Sequence, residues 1–318
     1  GKADQDWGCM NIWVTGMTGF LGRHVAAEVV RRGHILVRRE LNLLDVPLNA
    51  ADVLQSIDAV IHCAAVCRWS QEPHADGRFA KNVDMARALW SLMDRGACAS
   101  IVVPLPHGAL SPWNAYSSAA GQCATFWKKN NVRIVYLPTL YGEGDPHHAK
   151  ALPSFMLCAA GRGESRMVVY GDGVARRQFM NVDAAAARLV LESIRESEPW
   201  AVAGEEWAVA GEEWAILALA NEFTVAAIAA GRSLDVPELR PWQFRADGLG
   251  SPSPERIGPE RPLDVVESEL RRWIDTTVKR KNDELRAEKD QERTKEEMYL
   301  KLARAAWPPP GSSEDSSS

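Results

Sequence analysis

The sequence predicts an α/β fold, a doubly wound parallel sheet followed by a smaller α/β unit and a charged C-terminal helix. Three observations predict it. Short apolar runs alternate with segments of helical period through the first half, which is the pattern of strands joined by crossover helices. The first apolar run leads into glycines at three-residue spacing and then an apolar helix. The character changes after Gly144, and from Lys279 to Glu297 the only sizeable apolar residue is Leu285.

The elements follow in order. NIWVT, Asn11–Thr15, reads as a strand, Phe20–Arg32 as a helix and Ile35–Arg38 as a strand. Ala59–Ala65 is a further strand. Lys81–Arg95 is a helix with Val83, Ala86, Leu89 and Met93 on one stripe. Ser100–Val103, Tyr116–Asn130 and Val132–Leu137 continue the alternation as strand, helix and strand. Right-handed crossovers would place the loops after these strands along one edge, where ligands bind. Beyond Gly144, Ala151–Gly161 reads as a helix, Arg166–Tyr170 as a strand before a Gly-Asp-Gly turn, and Asn181–Glu196 as an alanine-rich helix. AVAGEEW occurs twice in succession, at 201–207 and 208–214. Two copies are too few for a solenoid, so the segment reads as strand, Ala-Gly turn and the lead into a helix over Ile216–Ala230. Gly248–Pro262 reads as a loop. From Leu263, Val266, Leu270, Trp273, Ile274 and Val278 share one helical face that packs on something. The charged stretch after them lacks the apolar a and d positions of a coiled coil and reads as a solvated helix. The tail PPPGSSEDSSS is expected to be disordered.

Composition narrows the function. The chain has 318 residues and a formal net charge of -5, which disfavours a nucleic-acid partner bound by phosphate neutralisation. The opening GKADQDWGCMNIW has no apolar core, and no apolar run reaches the roughly 18 residues of a membrane span. A cytoplasmic setting without a membrane partner is therefore expected. The six cysteines form no metal-ligand pattern; Cys63 and Cys67 are expected to be buried thiols in a reducing compartment, with no metal.

The most specific motif is NIWVTGMTGFLGRHV. Gly16 permits a tight turn out of the strand, Gly19 lets backbone approach a pyrophosphate, and Gly22 lets the helix lie close on the sheet. The helix N-terminus then offers unpaired N–H groups and partial positive charge. This is the fingerprint of a Rossmann dinucleotide site, and it assigns Gly16, Thr18, Gly19, Phe20, Leu21 and Gly22 to cofactor binding. Glu40 stands where an acidic residue would accept a ribose 2′-OH, as NAD requires. Arg38 and Arg39 stand there too, and a guanidinium suits the 2′-phosphate of NADP. Two cations beside one anion favour NADP, with NAD left open.

These residues resemble the extended short-chain dehydrogenase/reductase family, the NAD-dependent epimerase/dehydratases, over most of the chain to about residue 275. After VTGMTGFLG come LNLLD at 41–45, VIHCAA at 60–65, KNV at 81–83, LPTLYGEGD at 137–145, VYGDG with ARRQFMNVD at 169–183, and GEEWAVAG at 204–211. Their order matches the family's. PTLYG and RRQF look most like the GDP-L-fucose synthase branch, and LNLLD like the dTDP-4-dehydrorhamnose reductases. The resemblance implies cofactor contacts at Asp45, Ala64, Ala65, Asn82, Pro138 and Leu140. It implies a nucleoside-diphosphate sugar as substrate, with Arg177 pairing the diphosphate and Tyr170 beside it. It implies a homodimer formed through the helices 81–95 and 116–130. It also divides the chain: 1–145 with 179–200 as the dinucleotide domain, 146–178 and 201–275 as the substrate domain, 276–307 as the charged helix, and 308–318 as the tail.

The catalytic pattern is incomplete. In the family a tyrosine passes a proton, a lysine four residues later lowers its pKa, and a serine or threonine polarises the substrate oxygen. Tyr116 matches the tyrosine and is the catalytic candidate, but position 120 is alanine. One cation about 4 Å from a phenol, at an effective dielectric of about 20, is worth roughly 4 kcal/mol, or about 3 pKa units. Lys128 lies about 18 Å further along the helix axis, too far to substitute. The strand end that should supply the hydroxyl reads Val103, Pro104, Leu105, Pro106. His107, His148 and Lys150 are readable as acid/base groups or as solvated loop residues. Two functions are expected from this pattern. One is an NAD(P)-dependent epimerase, dehydratase or reductase on a nucleotide sugar, combining isomerase and oxidoreductase chemistry. The other is a cofactor-binding module with little turnover, a pseudoenzyme or sensor acting through a protein partner.

Overall fold

The computed structural model describes residues 8–38, 42–44, 56–66, 76–93, 100–106, 115–130, 132–145, 151–162, 166–194, 206–208, 211–240 and 268–306. The chain opens with β1 (Asn11–Thr15), α1 (Phe20–Arg31), β2 (Ile35–Val37) and β3 (Ala59–His62). It continues through α2 (Asp76–Met93), β4 (Ser100–Pro106), α3 (Ala115–Lys129), β5 (Arg133–Leu137) and β6 (Thr139–Tyr141). Then come α4 (Ala151–Ala159), β7 (Val168–Tyr170), β8 (Arg176–Asn181) and α5 (Val182–Ile194). The last elements are β9 (Glu206–Ala208), β10 (Glu212–Ala215), α6 (Ile216–Ala229), β11 (Glu238–Arg240) and α7 (Glu269–Ala306).

Six parallel strands form the central sheet in the order β2-β1-β3-β4-β5-β9. Successive residues of a strand face opposite sides, and β1 shows the result. Ile12 and Val14 pack with Val25 and Val29 of α1 and with Ala186, Leu189 and Val190 of α5. Trp13 packs on the other face with Leu89 of α2 and Ala120, Ala124 and Trp127 of α3. Helices thus cover both faces, and the central strands carry no polar side: β3 is buried at all four positions. The chain moves outward from β1 to β2 and then crosses back to β3 on the far side of β1. That reversal opens a crevice at the carboxyl ends of β1 and β3.

A three-stranded sheet, β10-β8-β6, and a two-stranded sheet, β11-β7, pack on α4, α6 and the first turns of α7 around Phe155, Leu219, Phe223, Leu270, Ile274 and Val278. The two copies of AVAGEEW separate: the end of the first, with Ala208, forms β9 in the central sheet, and the end of the second forms β10 in the smaller one. So β9 lies in the large sheet and β6 in the small one, across the boundaries expected from sequence. Neither β6 nor β8 is legible in the sequence as a strand. α1, α4 and α6 end in the same way, with the glycines 33, 161 and 231 left-handed. In each, paired backbone bonds return to the last turn, such as His34 N to Val29 O at 3.1 Å and Gly33 N to Val30 O at 3.0 Å in α1.

Other boundaries shift. α2 begins at Asp76, five residues before the expected start. β3 stops at His62, because the Cys63 N–H turns back to the Ile61 carbonyl at 3.2 Å. β4 runs on to Pro106, although its pairing with β3 ends at Val102. The two prolines therefore stand where β4 has lost one neighbour, the setting in which a strand tolerates a missing N–H. The segment 263–267 and the tail 308–318 lie outside the described residues.

α7 is a single helix of 38 residues, about 57 Å long. Ser268 caps it, accepting from Arg271 N at 3.1 Å, and Glu212 accepts from Leu270 N at 3.0 Å. Its middle is fastened by Asn282, whose amide donates to the Ala159 and Val278 carbonyls at 3.2 and 2.9 Å. Arg286 donates to the Ala230 carbonyl at 2.6 Å, and Arg162 reaches Glu288 at 2.8 Å. From Arg286 to Tyr299 every residue is exposed, as expected for a solvated helix.

Candidate nucleotide site

The glycine turn forms one wall of the crevice. Gly16 has φ +66°, and a Cβ there would lie 2.7 Å from the Ala64 backbone. Gly22 is buried beneath the turn; a Cβ on it would collide with the Gly16 carbonyl and stand 2.9 Å from the Met17 Cα. Only hydrogen fits at either place, so the strand end, the helix start and the loop after β3 meet at backbone distance. The Gly19 N–H closes the turn on the Gly16 carbonyl at 2.9 Å. α1 starts at Phe20 with Gly19 extended before it, and among the described residues no side chain caps it and no acid occupies its first turn. Thr18 and Gly19 are exposed, so the turn opens to solvent. An open, uncapped helix start is an anion site by its own dipole and N–H groups.

The opposite wall is the segment 63–66. Ala64 donates its N–H to Thr15 Oγ1 at 3.2 Å. Val66 is held at both backbone groups by Asn82: its N–H donates to Oδ1 at 2.7 Å, and Nδ2 donates to its carbonyl at 3.2 Å. The Asn82 amide therefore shapes the wall from behind. Beneath the crevice, Thr15 Oγ1 and His62 Nδ1 are 2.8 Å apart, both buried. Burial pulls the His62 pKa down to about 4 and pushes the Cys63 thiol up to about 12.

Further round, Arg38 is exposed just past β2. Pro138 is buried between β5 and β6, and Leu140 lies in β6, partly buried against the core. A junction the sequence does not announce joins this region to α1. His24 Nδ1 lies 2.6 Å from Asp183 Oδ1 and Nε2 lies 3.2 Å from the Glu143 carbonyl. Arg23 donates to the Glu143 carbonyl at 3.1 Å and also to the Gly144 carbonyl. Arg177 of β8 pairs in register with Trp214 of β10 and is partly buried, and that desolvation lowers its pKa. Tyr170 ends β7, 40% exposed, on the other small sheet. Arg39, Glu40, Asp45, Cys67, His107, His148 and Lys150 lie outside the described residues.

Tyr116 belongs to the first turn of α3. One turn on, Ala120 is 5% exposed and packs in the cluster that holds Trp13, Val60 and Val103. The position that would carry a lysine is thus a small apolar core position. β4 likewise ends on Val103, Pro104, Leu105 and Pro106, without a hydroxyl. Among the described residues no group of three or more His, Cys, Asp or Glu could hold a metal, and no helix is long and apolar enough to cross a membrane.

Residues 12–104 match the family model of the NAD dependent epimerase/dehydratase family. No curated protein sequence matches the chain. Among solved structures, UDP-glucose 4-epimerase of Thermotoga maritima with UDP-glucose superposes with a TM-score of 0.62 at 16% identity, covering 74% of this chain and 87% of that one. UDP-N-acetylglucosamine 4-epimerase of Bacillus cereus gives 0.58 at 18%, covering 87% and 96%. UDP-glucuronic acid 4-epimerase of Bacillus cereus, in complex with UDP-glucuronic acid and NAD, gives 0.58 at 17%, covering 76% and 96%. At these identities the likeness is one of fold. The chain thus has the α/β fold of the nucleotide-sugar 4-epimerases, and its N-terminal segment resembles the NAD-dependent epimerase/dehydratase family.

Proposed function

We propose that the chain holds a nicotinamide dinucleotide in the crevice between β1 and β3 and a nucleoside-diphosphate sugar beside it, acting as an epimerase, dehydratase or reductase of low turnover. The observation that carries this reading is the open turn at Gly16–Leu21, seated on Ala64 at the sheet's reversal, with an uncapped helix start behind it. The donor set fits the group. First-turn amides take the pyrophosphate, Ala64 and Ala65 line a ribose, and Arg38 with Arg39 favours the 2′-phosphate of NADP. Pro138 and Leu140, at the end of β5 and in β6, belong beside the nicotinamide ring. Bound there, the dinucleotide supplies hydride transfer. Arg177 offers a planar fork to a diphosphate, with Tyr170 beside it. Tyr116 passes the proton without a cation one turn on, which is why turnover is low.

The buried Ala120 and the proline-ended β4 favour a second reading, a binding module that has lost turnover. UDP-, GDP- and dTDP-sugars separate the two, by calorimetry for binding and by product analysis with NAD and NADP for turnover. The enzyme reading expects slow product formation that Tyr116→Phe abolishes. Sugar-nucleotide binding with no product under any cofactor leaves the module. Equal affinity in wild type and Arg177→Ala removes the substrate assignment.

A homodimer through α2 and α3 belongs to the same reading. Exposed polar residues there include Lys81, Asp84, Arg87 and Ser91 on α2, and Ser118, Gln122, Thr125, Lys128 and Lys129 on α3. Sedimentation equilibrium is expected to show a dimer that weakens with salt; a monomer at all concentrations would remove it.

A further inference from the structure

We infer that His62 is a positioning residue of the nucleotide crevice: through Thr15 it locks the wall 63–66 at the spacing the glycine turn requires. This inference rests on the dinucleotide reading above and adds to it a residue that the glycine fingerprint does not contain.

Thr15 and His62 are the last residues of β1 and β3, and they are register partners across the sheet's point of reversal. Both side chains are buried, at 5% and 6% exposure. Their contact links the wall to the sheet through a chain of bonds. The Ala64 N–H can only donate, so Thr15 Oγ1 accepts from it at 3.2 Å. The Thr15 hydroxyl then has its own proton to give, and His62 Nδ1 lies 2.8 Å away. With that proton directed at Nδ1, the ring is neutral and carries its own proton on Nε2. Burial favours the same neutral state. Trp127 of α3 sets the ring edge-on, with centroids 5.9 Å apart.

The relay matters because the wall has no slack. Ala64 lies where a Cβ on Gly16 would be 2.7 Å from its backbone, so a small outward movement of the segment opens the crevice and a small inward one closes it. Asn82 fixes the far end of the wall at Val66. Thr15 and His62 fix the near end. Without the imidazole acceptor the Thr15 hydroxyl must turn to find another partner, and the bond to Ala64 loses its direction.

Asparagine carries its Oδ1 the same number of bonds from Cα as histidine carries Nδ1, so His62→Asn keeps an acceptor for Thr15. His62→Phe keeps the ring and its packing on Trp127 but removes the acceptor. Thr15→Val removes the hydroxyl with little change of shape, and Thr15→Ser keeps it. The experiment measures NADH and NADPH dissociation constants by fluorescence for each variant, well below the unfolding midpoint that circular dichroism gives for that variant. His62→Phe and Thr15→Val are expected to bind roughly 5- to 50-fold more weakly, their double variant no more weakly than the worse single one, and His62→Asn and Thr15→Ser close to wild type. Folded His62→Phe and Thr15→Val proteins that bind like wild type overturn the positioning role while leaving the dinucleotide reading intact. Equal loss in His62→Asn and His62→Phe also overturns it, since the acceptor would then be irrelevant. A wild type that binds neither dinucleotide overturns both.

Discussion

A Cβ at position 22 has nowhere to go, because the Gly16 carbonyl and the Met17 Cα close over it. Gly22→Ala should therefore destabilise the fold by about 1–3 kcal/mol through overpacking, read from denaturant unfolding; an unchanged midpoint would mean the turn yields to a methyl group. Such glycines are legible in sequence because their demand is steric and local. His62 is not, because its partner comes from another strand. The only sequence clue was a polar residue ending a run with no exposed face, VIH, where a buried ring needs a hydrogen bond. Its titration gives a second test. The folded pKa, about 4, lies below the ordinary 6.5, so the fold prefers the neutral ring. That contribution is complete above pH 6.5, shrinks as the pH falls, and is gone below about 4. Relative to His62→Asn, wild type should lose on the order of 3 kcal/mol across that window. Parallel stability–pH curves for the two proteins would refute it. Asn82 shows another limit of sequence reading: the resemblance implies a cofactor contact there, whereas the bonds its amide makes are to Val66.

At the scale of elements, α3 decides how far catalysis can go. Restoring the missing lysine is not a simple repair, because Ala120 is packed among Trp13, Val60 and Val103. Ala120→Lys is expected to cost about 1–3 kcal/mol from its added methylenes alone. A variant as stable as wild type would show that α3 has room for a cation beside Tyr116. α7 divides into a half that packs and a half that does not. Asn282→Ala removes two buried bonds to the ends of α4 and of α7's own previous turn, and should cost about 1–3 kcal/mol. Deleting 290–318 should leave stability within about 0.5 kcal/mol of wild type, measured by the same unfolding curves; a larger loss would mean the exposed half is covered in solution. The apolar stripe and the charged run made this division legible. β8 was not, since RRQFMN has no alternation to read. It becomes a strand because β6 and β10 flank it.

For the molecule as a whole, the order of β1, β2 and β3 places a crevice at one sheet edge, with the glycine turn and its uncapped helix start on one side and the 63–66 wall on the other. The alternation of strands and helices made the large sheet legible in the sequence. A strand in the direct repeat was legible too, but not its sheet, because the same EW-containing sequence pairs in both sheets and only tertiary pairing distinguishes the copies. Dinucleotide binding in that crevice is what the proposed function requires first. Titrating NADH and NADPH into wild type and into folded Gly22→Ala, with nicotinamide fluorescence as the signal, tests it most directly. The prediction is saturable binding in wild type that weakens at least about tenfold, or 1.4 kcal/mol, in the variant. Absence of binding in wild type up to millimolar concentrations, or equal binding in both proteins, would contradict it.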